Sequence, residues 1–233
     1  GAQVRGMNVA VRNANDAISL TQTAEGAMAK VGDSLQRMRE LAVQARNATN
    51  SSSDKDSLDK EFGELAKEIQ RVLGGTTFNG RAILAGNSGT QTFQVGANTT
   101  SNDRIDVVTT DMTASPDITA VAGTDNTGAG RAVIDNTAVG ATIDTVIANI
   151  DTAVNTVSSE RATLGASQNR FDQVISNLQI SVENQSAARS RITDADFAIE
   201  TANLSRANIL QQAGNAMIAQ TNQIPSQVLS LLR

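Results

Sequence analysis

The sequence predicts a mainly α protein, an elongated antiparallel helical bundle with coiled-coil seams, a small β-hairpin region and a C-terminal helix. Three observations carry that expectation. Apolar residues recur at alternating three- and four-residue steps over two very long stretches, the signature of a helix seam. Aromatics are 2% of the 233 residues, so Ala, Val, Ile and Leu must build the interior, which suits narrow helix-to-helix seams better than a thick core. From about residue 76 to 113 the texture changes to turn signals and β-branched runs.

The first seam begins near residue 3. Val4, Met7, Val11, Ala14, Ile18 and Thr21 keep the step, and after a one-residue slip Ala24, Met28, Val31, Leu35, Met38, Ala42 and Ala45 continue it. A helix over about 3–46 follows, in which Gly26 and Gly32 each cost about 1 kcal/mol relative to Ala. The polar run Asn47–Ser53 ends it, and Asp54 or Ser57 caps a second helix over about 56–73 with Leu58, Phe62, Leu65, Ile69 and Val72 on one face. Gly74 and Gly75 supply the stop. Asn79-Gly80 marks a turn, while 92–95 and 104–108 read as strands. Residues 114–140, with Pro116 and four glycines, are predicted loop-rich, with room for one short helix or strand. The second long seam runs through Ile143, Ile147, Ile150, Val154, Val157, Arg161, Leu164, Gln168, Phe171, Ile175, Leu178 and Val182. This predicts a helix over 141–182, about 60 Å long at ~1.5 Å per residue. Arg161 and Gln168 are its polar members and suit a register-setting role.

A polar break at Glu183–Asp196 is expected to separate this rod-like domain, 1–182, from a terminal helix within 183–233. That helix carries Ile199, Ile209, Leu210, Met217, Ile224, Val228 and Leu231 on one stripe and Leu204 on a second edge. A chain end that is apolar on two sides needs a partner, and a second copy of the chain is the natural one. The residues nominated for self-assembly are therefore Ile199, Leu204, Ile209, Leu210, Met217, Ile224, Val228 and Leu231.

Composition excludes several classes. With no His and no Cys, the usual imidazole base, thiol nucleophile and zinc ligand sets are absent. A net charge of −5 argues against nucleic-acid partners, which demand a basic surface. No apolar run reaches the roughly 18 residues that a spanning helix needs. Asp103, Asp106 and Asp111, and separately Asp194 and Asp196, cluster without the loop pattern of a calcium site. The lysines Lys30, Lys55, Lys60 and Lys67 sit on polar helix faces, and no phosphate-binding glycine motif exists. No catalytic residue, metal or cofactor is expected, and the protein is read as a non-enzyme.

Specific stretches sharpen this. Asn13-Ala14-Asn15-Asp16-Ala17-Ile18-Ser19-Leu20, the run Leu35 to Gln44, Thr77-Phe78-Asn79-Gly80, Phe93 to Asn98, Ala188 to Asp196, Ala207 to Gly214, Gln223-Ile224-Pro225 and Leu229 to Arg233 resemble the bacterial flagellins. Only 99–140 lacks such a motif. The resemblance implies a subunit exported by the flagellar secretion apparatus, with an export chaperone, to an extracellular filament of identical subunits. Filament cap and junction proteins are its implied neighbours. It also implies that the chain begins without the N-terminal arm that pairs with the terminal helix, which is then expected to be disordered or docked on a neighbouring copy. The short 114–140 tract implies a minimal form without large outer domains. A vertebrate Toll-like receptor surface is implied at Arg37, Leu41 and Glu61; residue types alone favour Arg37 as a solvated charge and Leu41 as seam filler, and only the surrounding motif brings the receptor reading level with that one. Two other roles remain open on the same scaffold, a hook–filament junction protein and a cell-surface protein that binds a polysaccharide.

Overall fold

The computed structural model describes the backbone of residues 1–231 and all side chains in that range except those of 193–196 and 223–231. The chain falls into two units, Ala2–Ile180 and Gly1 with Ser181–Arg233.

In the first unit, α1 (Ala2–Ala45) buries Met7, Ala14, Ala24, Met28, Val31, Leu35, Met38, Ala42 and Ala45. The buried stripe is wider than the seam alone, because Ala10, Ala17, Leu20 and Leu41 are also covered. Ile18 is half-buried and packs on the same core, so α1 contacts neighbours on more than one side. The second helix, α2 (Ser52–Gly75), starts four residues earlier than the periodicity predicts. Ser51 rather than Asp54 or Ser57 is its N-cap. The Ser51 hydroxyl accepts from the Asp54 N–H at 3.2 Å, and the Asp54 carboxylate accepts from the Ser51 N–H at 2.9 Å. Those hydrogen bonds, the hydroxyl donation from Ser51 foremost, hold the Asp54 carboxyl below its ordinary range.

The face of α2 is also broader than predicted. Asp59, Phe62, Gly63, Ala66, Ile69, Gln70 and Leu73 are buried, whereas Leu58, Leu65 and Val72 are half-buried. The polar members of this face meet residues 123–134. That tract, predicted loop-rich, contains a helix, α3 (Pro116–Ala122), which starts on the proline where a missing N–H costs nothing. Ile118, Val121 and Ala122 enter the core, so three apolar residues at helical spacing outweigh the surrounding glycines.

Four short strands form two antiparallel pairs, β1 (Thr77–Phe78) with β2 (Arg81–Ala82) and β3 (Gly89–Gln94) with β4 (Arg104–Thr109). On β4, Ile105, Val107 and Thr109 point inward and Arg104, Asp106 and Val108 outward, the two-residue alternation of a half-covered strand. The β3–β4 connection is organised by Asp103, whose carboxylate accepts from the N–H of Asn98 at 3.3 Å, from the N–H of Thr100 at 3.2 Å and from the Thr100 hydroxyl. A Cβ at Gly96 would overlap that carboxylate. Gly96→Ala is therefore expected to destabilise the fold by about 1–3 kcal/mol through overpacking, read as a lower urea midpoint.

The helix α4 (Gly140–Leu231) corrects the predicted break. The backbone remains helical through 183–196, a stretch that holds no Pro or Gly and includes three Ala and two Arg. Polarity removes a core face there without removing helix propensity. Within the first unit, α4 runs antiparallel to α1. Arg46 meets Asp144 at 2.7 Å, Arg39 meets Asp151 at 2.6 Å, and Glu25 meets Arg161 at 3.5 Å. Gln168 also donates to Glu25 at 3.0 Å, so both polar seam members of α4 converge on one carboxylate of α1. Phe171 is fully buried, with Phe93 of β3 edge-on at 5.9 Å.

Candidate assembly and recognition surfaces

Exposed apolar residues are common singly but not in rows. The Ser181–Arg233 unit has a row. Ile199, Leu204, Ile209, Leu210 and Met217 are 61–67% exposed, and Ile192, Phe197 and Ile218 stand beside them in sequence with similar exposure. Every residue of 183–222 whose side chain is described is exposed. Ile224, Val228 and Leu231, nominated with this stripe, lie outside the residues with described side chains. In the first unit, by contrast, large apolar side chains such as Phe62, Leu20, Met28 and Ile69 are covered. Burying a side chain of this size contributes about 1.5–3 kcal/mol, so the row is a strong adhesive for any matching surface.

The nominated recognition residues separate on the α1–α2 face. Arg37 and Glu61 come together, with Arg37 Nε donating to Glu61 at 2.8 Å and Nη1 to Glu40 at 2.8 Å. The Glu61 hydrogen bond first, then that of Glu40, raises the Arg37 pKa further, so this charge is permanent at any physiological pH. Leu41 is 1% exposed and packs in the core. The three residues therefore form a surface ion pair above a buried leucine, not a charge beside an exposed apolar knob. The exposed apolar element on this side of α1 is Val43, in a shallow depression of about 500 Å³ formed with Gln36, Arg39, Glu40 and Gln44.

A polar constellation invisible to helix periodicity lies beneath 123–136. Asp59 of α2, only 8% exposed, accepts from Arg131 Nη1 at 2.9 Å, from Arg131 Nη2 at 2.5 Å and from the Ile134 N–H at 2.9 Å. Gly63, one turn on, leaves room for the guanidinium, which a Cβ there would meet at 3.1 Å. Its neighbours repeat the arrangement, since Asp56 accepts from the Asn136 N–H at 3.1 Å and Gln70 donates to the Gly123 carbonyl at 2.5 Å. The sequence signal is an acid, a glycine and a glutamine on the buried side of an amphipathic helix. It becomes legible only when the partner strand of chain is known. Among the described residues, no cluster of three or more acidic side chains could hold a metal ion, and no helix is long and apolar enough to cross a membrane.

Comparison with known proteins gives this arrangement a context. Residues 1–89 match the bacterial flagellin N-terminal helical region, and residues 147–232 match the bacterial flagellin C-terminal helical region. The chain is 45% identical over 232 residues to a flagellin of Halalkalibacterium halodurans, covering all of this chain and 80% of that protein. It is 41% identical to a flagellin of Bacillus subtilis, covering 99% of this chain and 82% of that protein. The crystal structure of Bacillus cereus flagellin superposes with a TM-score of 0.59 at 33% identity, covering 76% of this chain and 94% of that one. A putative flagellar hook-associated protein from Vibrio parahaemolyticus shares the fold, with a TM-score of 0.64 at 14% identity, over 79% of this chain and 92% of that one. With both helical regions matched and full-length relatives at this identity, the chain belongs to the bacterial flagellins, structural subunits that self-assemble into the flagellar filament.

Proposed function

We propose that the exposed apolar residues of α4, Ile199, Ile209, Leu210 and Met217 on one stripe and Leu204 on a second edge, are the principal self-assembly surface of this filament subunit, with Ile224, Val228 and Leu231 continuing the stripe. The observation that carries the reading is the exposure of five large apolar side chains on two edges of one helix. A heterologous contact that does not close on itself produces an open helical polymer, so one such surface per subunit suffices for a filament. The protein works outside the cell as part of the flagellum, after export with a chaperone, and meets cap and junction proteins at the filament ends. It catalyses no reaction. Electron microscopy of the full-length protein in salt solution is expected to show long filaments formed without other proteins. Failure to polymerise alone, with growth only on other flagellar components, would favour the junction-protein role instead.

A second reading rests on the Arg37–Glu61 pair, which places a fixed cation and its partner carboxylate on the open face of α1 and α2. We infer that this face is where a vertebrate Toll-like receptor would dock, with Leu41 bracing α1 from beneath. Arg37→Ala is expected to weaken binding of the receptor ectodomain at least about tenfold, or 1.4 kcal/mol. It should leave thermal stability within about 0.5 kcal/mol, because exposed ion pairs contribute little to folding. Unchanged receptor affinity would remove this face from the reading.

A further inference from the structure

Asn79 is the only asparagine of the chain followed by glycine. It lies with Gly80 at the tip of the β1–β2 hairpin, where both residues are exposed and both have positive φ, 50° and 78°. The hairpin has two rungs, Thr77↔Ala82 and Phe78↔Arg81. Phe78 anchors this ladder on the core, but the tip itself is held by few backbone hydrogen bonds and is exposed, so it opens locally more readily than the long helices. The Asn79 side-chain amide has no hydrogen-bond partner among the described residues. Other asparagines differ. Asn13 donates to the Gln94 carbonyl, Asn50 to the Gln44 carbonyl and Asn136 to Asp56, and each is followed by a residue with a Cβ.

From this geometry we propose that Asn79 is a site of spontaneous covalent modification in the folded protein, conversion of its amide to an aspartyl or isoaspartyl carboxylate. The backbone nitrogen of Gly80, having lost its proton to hydroxide, attacks Cγ of Asn79. A C–N bond forms, the Cγ–NH2 bond breaks, and the leaving group departs as ammonia, giving a cyclic imide. Water then opens the imide at either carbonyl, yielding aspartate or isoaspartate. No oxidant, metal or enzyme is needed. Glycine at the attacking position removes the side chain that would hinder approach, and opening of the two-rung hairpin supplies the rotation the attack requires.

The product changes a defined place in the fold. Asn79 lines a cleft of about 700 Å³ with Asp16, Phe78, Arg81, Gln91 and Phe93. Conversion puts a new negative charge there, close in sequence to Arg81. In the isoaspartyl form, an extra methylene in the main chain cannot keep the present register, and the Phe78↔Arg81 rung is lost. Since Ile83 N–H donates to the Thr76 carbonyl just beyond the hairpin, exchange of that amide reports the loss.

The test is ageing of the intact, folded chain in mildly alkaline buffer made with ¹⁸O-labelled water. Trypsin then releases residues 72–81, between Arg71 and Arg81. The expected result is that this peptide loses its amide and gains one labelled oxygen, splits into aspartyl and isoaspartyl forms, and converts faster than any other asparagine. Amide exchange at Ile83 should rise in the converted chain. If the folded chain retains Asn79 while the same chain in urea converts it, the hairpin protects the amide and the proposal is wrong. Faster conversion at Asn87 or Asn102 would overturn it as well.

Discussion

Replacing Asp59 by alanine is expected to lower the stability of the Ala2–Ile180 unit by about 3–5 kcal/mol, the usual cost of removing one partner from a buried ion pair. The effect is large because three donors lose their acceptor together. The guanidinium of Arg131 loses its hydrogen-bonded carboxylate and keeps only the Ala132 carbonyl and the nearby charge of Asp135, and the buried Ile134 N–H loses its hydrogen bond. Arg131 is held in its charged form chiefly by the hydrogen bond to Asp59 and keeps that charge in the variant, so the largest compensation for its desolvation is gone. Chemical denaturation gives the number. Arg131→Met in the Asp59→Ala background should recover part of the loss, since an apolar residue fills the space without a charge to bury. If Asp59→Ala costs under 1 kcal/mol, water reaches the pair and the loop is not pinned by it.

The second large effect concerns assembly. Ile209→Asp combined with Met217→Asp should abolish filament growth while leaving the unfolding midpoint unchanged. Both side chains are more than 60% exposed in the free chain, so their loss removes no folding contact. In a subunit interface, each buried apolar side chain contributes about 1.5–3 kcal/mol, and an unpaired carboxylate adds a further penalty. A combined loss of at least about 4 kcal/mol raises the critical concentration roughly a thousandfold. Sedimentation across a concentration series measures it. Normal filaments from the double variant would mean that the row on α4 is not the contact.

Helix periodicity makes the α1–α4 seam legible in the amino-acid order alone, because a three-four alternation depends only on residues one turn apart. The strand pair is legible for a similar reason, since β-branched runs and turn residues are local signals. Legibility ends where the signal is not local. Polarity suggests a break at 183–196, yet backbone helicity follows propensity and the absence of proline and glycine, so α4 continues. In the glycine-rich tract 114–140 the local signals leave a short helix or a strand open, and core packing of Ile118, Val121 and Ala122 decides for the helix α3. Leu41 and Arg37 share a helix face in sequence but have opposite fates, because Leu41 is buried in the core while Arg37 stays at the surface, paired with Glu61 of α2.

By itself, then, the sequence determined that this is a long-helix protein with an apolar tail, no metal-binding histidine or cysteine, and motifs of a self-assembling family. The tertiary structure decided which polar groups are structural. Asp59 and Arg131 are 72 positions apart, and Glu25 is 136 from Arg161 and 143 from Gln168. Spacing along a helix encodes which face is apolar, but a buried charge is tolerated only where a distant partner returns its lost solvation, and that match exists only once the chain has folded.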